Sequence, residues 1–249
     1  MDILNIKNLQ VQLDKKIILN NINLQFQKGK VYGVLGPNGS GKSTLLLSIA
    51  KIIKIKNGSI HINKKNLNKY SIENLSKVIS LLSQNFQLKL PYTVEEIVFM
   101  GRYTYTKGIL SKEEQNFIDN IIEEMDLCKL KSTQVTKLSG GEKQRVLLAK
   151  TLCQDTNIVL IDEGFSNMDI HYQIKFMKLL REKAYKDNKL IIFVMHNLLL
   201  AKKYCDNILL LKNGEVYNFG ENEKVLTNKA LKEVFNIDGK FSGNAFEIF

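Results

Sequence analysis

A glycine-rich loop set between a buried strand and a helix leaves a chain few ways to fold. Here Val31-Tyr32-Gly33-Val34-Leu35 reads as the strand and Gly36-Pro37-Asn38-Gly39-Ser40-Gly41-Lys42-Ser43 as the loop. Residues 43–53 read as the helix, apolar at Leu46, Leu47, Ala50 and Ile53. The loop fits G-x-x-x-x-G-K-[ST], and that pattern needs this strand-to-helix setting. Glycines allow dihedrals that turn successive N–H groups inward, and the helix start adds its positive dipole, so the unit is an anion cradle. Lys42 can reach the outer phosphates of a nucleotide, and the Ser43 hydroxyl can coordinate Mg²⁺. The competing reading, a tight glycine turn with an exposed lysine, explains neither the full spacing nor the setting.

Around this unit, strands and helices alternate. Residues 3–6, 11–13 and 22–26 read as half-buried strands, ended by the turn at Lys28-Gly29. Residues 58–62 and 78–82 are further strands. Residues 88–137 are helical in pattern, with Phe117, Ile121, Ile122 and Met125 on one apolar face. Helices are then expected over 142–152, 170–184 and 198–204, and strands over 158–161 and 190–195. A hairpin over 208–211 and 216–219 turns on Lys212-Asn213-Gly214-Glu215. The expected fold is α/β: a P-loop core with a largely parallel sheet, an N-terminal antiparallel β subdomain and an inserted helical subdomain. All 249 residues are expected to form one domain, closed by a short helical segment over 221–249.

The charge is 36 − 25 = +11, which suits nucleic acid, an anionic membrane surface or a phosphate-bearing ligand without choosing among them. The apolar run 190–195 ends at His196, far below the roughly 20 residues of a membrane-spanning helix. The N-terminus has no basic-then-apolar signal pattern. Cys128, Cys153 and Cys205 are widely spaced, with no pair at metal-ligand spacing, and read as reduced thiols.

A second chemical element is Ile158-Val159-Leu160-Ile161-Asp162-Glu163, an apolar strand delivering two carboxylates to its end. Taken alone, such residues can simply cap a helix. Beside a phosphate loop, Asp162 is placed for Mg²⁺ and Glu163 for polarising the water that attacks the γ-phosphate. A third element, Leu138-Ser139-Gly140-Gly141-Glu142-Lys143-Gln144-Arg145, lies 23 residues before Asp162 and opens a helix on a serine and two glycines. It is a second anion cradle in a chain whose nucleotide needs only one.

That third element resembles the signature of the ATP-binding-cassette ATPases. The resemblance implies two copies paired head to tail, each signature (Ser139, Gly140, Gly141) capping the ATP held by the other's loop (residues 36–43 and Thr44). Gln84 matches the glutamine loop, whose side chain reaches Mg²⁺. Ser166-Asn167-Met168-Asp169 looks like the loop that crosses the dimer interface, and His196 matches the switch histidine at the γ-phosphate. A histidine after a strand is by itself more readily read as a polar cap. Family members carry an aromatic near the end of the first strand, stacked on adenine; here Leu13 stands there, which implies weak choice between ATP and GTP. Gly164 stands where a proline is common, implying a less rigid Glu163 loop.

No membrane span accompanies this ATPase, and the 95 residues between Lys42 and Leu138 hold no heptad run. The resemblance therefore points to a subunit serving a separate membrane permease, and indirectly a solute-binding protein, at the inner face of the cell membrane. Thr93-Val94-Glu95-Glu96-Ile97-Val98-Phe99-Met100-Gly101-Arg102-Tyr103 is similar to the ATPases of ferric-siderophore, haem and cobalamin importers. So is the C-terminal stretch with Val225-Leu226-Thr227 and Leu231-Lys232-Glu233-Val234-Phe235. The alternatives are an importer ATPase for another solute, a non-hydrolysing regulatory cassette, and a soluble cassette acting on nucleic acid. Basic residues come in pairs, with no polybasic run, so direct nucleic-acid binding is not expected.

Overall fold

The computed structural model describes residues 2–84, 90–106, 108, 110–165, 167–242 and 245–248. The chain forms two compact units, Met1–Tyr70 with Ile174–Phe249, and Ser71–Gln173. The first begins with strand β1 (Asp2–Leu13), a hairpin partner of β2 (Lys16–Gln27). Asn8, at φ +48°, sits where the register slips between Ile6 and Leu9, so the stretches expected as two strands are one bulged strand. Strand β3 (Lys30–Leu35), helix α1 (Lys42–Ile49), β4 (Asn57–Ile62) and β5 (Lys65–Asn66) follow. Helix α1 stops short of residue 53 because Lys51 turns left-handed at φ +61°. The order β2-β1-β4-β5 is the expected N-terminal antiparallel sheet.

In the second unit, α2 (Ile72–Ser76) leads to β6 (Ile79–Leu82). Helices α3 (Val94–Phe99), α4 (Tyr103–Thr106) and α5 (Lys112–Glu124) come next, then α6 (Gly140–Cys153) and β7 (Ile158–Asp162). Strands β6 and β7 are parallel, Ile79 opposite Ile158 and Leu82 opposite Ile161. Gly101 lies so close to α6 that a Cβ would stand 2.3 Å from the Lys150 carbonyl oxygen. Arg102 donates two hydrogen bonds to Glu114, at 2.6 and 2.7 Å, and lies over the rings of Tyr105 and Phe117. The Gly-Arg pair noted in the sequence thus packs the helices: glycine for approach, arginine as a pin to α5.

Helix α7 (Ile170–Lys186) carries the chain back to the first unit, where β8 (Leu190–Val194), α8 (Leu198–Tyr204), β9 (Asn207–Lys212) and β10 (Glu215–Glu221) follow. Here β10-β9-β3-β8 lie side by side, the last three parallel and β10 an antiparallel edge. Buried on both faces, β8 is continuously apolar, as strands of a covered parallel sheet are. Phe26, Tyr32 and Phe219 form one aromatic cluster joining β2, β3 and β10, with ring centroids 4.9 to 5.9 Å apart. Among the described residues, the segment expected to be helical over 221–249 is so only in α9 (Asn222–Val225) and α10 (Asn228–Phe235). Asn236 at φ +57° ends α10, and the chain closes with a hairpin of β11 (Gly239–Ser242) and β12 (Ala245–Ile248). Among the described residues, no helix is long and apolar enough to cross a membrane.

Candidate nucleotide site

The loop after β3 is shaped by packing as much as by glycine. At Gly36, φ is +151° and a Cβ would lie 2.1 Å from the Leu211 carbonyl oxygen, so no side chain fits. At Gly39, φ is +77° and nothing lies within 4 Å of a Cβ: this position opens outward. Gly41 caps α1 without a side-chain hydrogen bond, and the first turn holds no acidic residue, so the helix start is suited to an anion. Lys42 is 6% exposed, its Nζ donating to the carbonyls of Gly36 at 2.9 Å and Pro37 at 3.0 Å. Ser40 is buried, and its hydroxyl has no hydrogen-bond partner among the described residues. Ser43 and Thr44 are half-buried in the first turn, and Asn38 is exposed. An open cradle, an orphaned hydroxyl and a buried ammonium fit a polyphosphate.

Two further expected residues belong to the same unit. The β3–β8 register, Val34 opposite Val194, brings His196 level with Gly36. Asn197, not His196, caps α8, accepting from the Leu200 N–H at 3.0 Å. The histidine therefore does not serve as the N-cap of α8. Leu13, 39% exposed, ends β1 opposite Lys16 at the hairpin tip.

The second unit gathers the rest. The β6–β7 register sets Gln84 level with Glu163, and Gln84 Nε2 donates to Glu163 Oε2 at 2.6 Å. Asp162 ends β7 at 4% exposure, and Glu163 adopts a left-handed φ of +55°. A Cβ on Gly164 would meet Leu82 Cδ2 at 2.7 Å and Ile161 Cγ2 at 2.8 Å, so packing explains the glycine.

Ser139 opens α6 in a capping box. Its hydroxyl accepts from the Glu142 N–H at 3.3 Å and donates to Glu142 Oε2 at 2.8 Å, which also accepts from the Ser139 N–H at 2.8 Å. These bonds hold the Glu142 carboxyl below the usual carboxylate range, the backbone one most strongly. Ser139, Gly140, Gly141, Glu142, Arg145 and Asp169 line a cleft of about 590 Å³ together with Asn167, Met168 and Tyr172. Asp169 is exposed and its carbonyl starts α7, accepting from the Gln173 N–H at 3.0 Å. Ser166 lies outside the described residues. Arg145, 7% exposed, donates to the carbonyls of Met125 and Asp126 and stacks over Tyr172. Sequence reading took Ser139 and the two glycines here and gave Glu142 and Arg145 no role of their own; the S-x-x-E spacing was the available signal.

Residues 19–166 match the sequence model of the family described as ABC transporter. The chain belongs to that family. It is 36% identical over 248 residues to the hemin import ATP-binding protein HmuV of Pseudoalteromonas translucida, covering 96% of this chain and 95% of that one. It is 32% identical over 232 residues to the petrobactin import ATP-binding protein YclP of Bacillus subtilis, covering 93% and 92%. Among solved structures, the ATP-binding cassette MJ0796, a dimer in a post-hydrolysis state with ADP and Pi, matches with a TM-score of 0.79 and 28% identity over 88% of this chain and 98% of that one. This ABC chain is therefore an ATP-binding ATPase of the transporter class, built on the α/β P-loop fold.

Proposed function

We propose that this ABC ATPase energises an importer of metal chelates, of the siderophore, haem or cobalamin class, as a homodimer docked on separate permease subunits. The observation that carries the dimer is a second glycine-bordered helix start: α1 is uncapped and carries its lysine, while α6 opens on Ser139 and two glycines beside a cleft with no lysine in its lining. A head-to-tail pair with two ATP molecules uses both. The hemin and petrobactin relatives support the chelate class. A permease partner suits the exposed apolar side chains clustered in the second unit: Leu90, Tyr92, Met100, Tyr103, Tyr105 and Leu110. Docked this way, the protein works at the inner face of the membrane, and a solute-binding protein is linked to it only through the permease.

In this reading the loop residues 36–44 bind the triphosphate, and Leu13 packs against the base. Ser43, Asp162 and Gln84 would hold Mg²⁺, for which a buried carboxylate, a hydroxyl and an amide oxygen are suitable hard donors. When bound, Mg²⁺ supplies charge neutralisation at the phosphates. Glu163 accepts the proton of the attacking water, His196 orients the γ-phosphate, and Lys42 neutralises charge as the bond to ADP breaks. Glu163→Gln tests the catalytic assignment and the ATP-bound homodimer. It is expected to bind ATP, lose at least about a hundredfold in turnover, and accumulate as a dimer in size exclusion with saturating MgATP. A variant that stays monomeric there refutes the ATP sandwich.

A further inference from the structure

The net charge is not spread over this chain. Between Asp14 and Glu73 lie eleven lysines and no acidic residue; outside that stretch 36 − 11 = 25 basic residues face 25 acidic ones, so the whole +11 resides within it. Lys42 of the phosphate loop is one of the eleven. The sheet of β1, β2 and β4 sorts several of the others to its two ends.

Lys15 and Lys16 are exposed at the β1–β2 turn, next to Leu13. Lys56 joins them: its N–H donates to the Gln10 carbonyl at 2.8 Å and its Nζ to Gln12 Oε1 at 2.5 Å. Lys28 and Lys64 are at the opposite end, since Leu4 pairs with both Phe26 and Ile62. The phosphate loop lies toward the first end, because a Cβ on Gly41 would stand 2.5 Å from Leu19 Cδ2. Leu19 is three residues from Lys16 and nine from Lys28. At about 3.3 Å per residue, the tip is roughly 10 Å from the loop and Lys28 roughly 30 Å, against a screening length of about 8 Å at physiological salt. Of these two ends, the tip is the one close enough for the field of its lysines to reach the loop. The carboxylates at this end are Asp14 in the turn and Glu215, which accepts from Asn20 at 2.9 Å. Lys15, Lys16, Lys56 and Lys42 outnumber them.

We propose that Lys15, Lys16 and Lys56 form an electrostatic collar that selects the nucleotide by its polyphosphate charge, while Leu13 leaves the base nearly unread. The proposal rests on the assignment of the phosphate loop as the ATP site. A collar about one screening length away makes no fixed contact; it raises the local concentration of polyanion and acts chiefly on association. Nucleoside triphosphates are favoured over diphosphates whatever their base.

The test is stopped-flow binding of fluorescently labelled ATP, GTP and ADP to the full chain between about 20 mM and 500 mM KCl. The unmodified protein should lose about tenfold in association rate across that range, equally for ATP and GTP and less for ADP. Lys15→Gln/Lys16→Gln/Lys56→Gln should associate about fivefold more slowly at low salt and converge with the parent at high salt. Lys28→Gln/Lys64→Gln should follow the parent. A salt-independent rate in the unmodified protein, an unchanged salt slope in the triple variant, or an equal loss in the distal pair overturns the collar. So does a triple variant that keeps its nucleotide kinetics but loses salt-sensitive binding to duplex DNA or phosphatidylglycerol vesicles, because the patch then serves another polyanion. An unmodified chain that binds nucleotide at no salt concentration refutes the phosphate-loop assignment, and the collar with it.

Discussion

Replacing Gly36 by alanine probes how the phosphate loop is built. The new Cβ would lie 2.1 Å from the Leu211 carbonyl oxygen and 2.8 Å from Ser40 Oγ, at φ +151°. Carbon and oxygen rest at about 3.3 Å or more, so the loop and β9 must separate by about 1 Å. Pairing of Leu35 with Leu210 resists that movement. The backbone conformation costs about 1–3 kcal/mol for a residue with a Cβ, and one or two weakened ladder bonds add about 1 kcal/mol each. The expected loss is about 2–5 kcal/mol. Gly39→Ala is the matched comparison: with nothing within 4 Å of the Cβ and φ +77°, it should cost only about 1 kcal/mol. Its methyl group would instead project from the open side of the loop and weaken ATP binding. Urea unfolding read by circular dichroism, with nucleotide titration on the same samples, separates the two effects. If Gly36→Ala unfolds within about 1 kcal/mol of the parent, closure of the loop against β9 is not what excludes a side chain there.

Leu13→Tyr should raise the preference for ATP over GTP, which in the parent is expected to stay below about tenfold in equilibrium titration; a parent with strong discrimination would show that the base is read elsewhere. Arg102→Met removes a largely buried, two-bond ion pair and should cost about 2 kcal/mol at neutral pH. The hydrogen bond from Arg102 holds the Glu114 carboxyl below its usual range, so the pair's contribution is complete above the ordinary carboxylate pKa and fades as pH falls through the lowered one. Unfolding curves of parent and variant should therefore converge under acid, and a gap that stays constant down to about pH 3 contradicts this account.

Much of the first unit was legible because its signals are local. The strand before the phosphate loop, the loop and α1 follow from periodicity and glycine placement, and α8 matched its expected bounds, 198–204, because Asn197 caps it. The unity of β1 was not legible, since the bulge at Asn8 breaks the alternation that marks a strand. Nor was the hairpin of β11 and β12, whose four-residue strands are too short for a period to register. At the site, residue identities could be read but pairings could not. That Gln84 meets Glu163 depends on the β6–β7 register, a long-range property. That Asn197 rather than His196 caps α8 depends on backbone geometry that both residues would satisfy in sequence.

The capping box at Ser139 bears on how easily the proposed ATP-bound dimer would come apart. Its hydroxyl proton already points to the Glu142 carboxylate at 2.8 Å. In the proposed dimer, a phosphate at the start of α6 would displace an anion of the helix's own making, and the serine would exchange one charged acceptor for another. The number of hydrogen bonds hardly changes, so this contact contributes little net attraction and directs where the phosphate sits. Once that phosphate left, Glu142 would again accept the serine's hydrogen bond, and the helix start would be ready for another cycle.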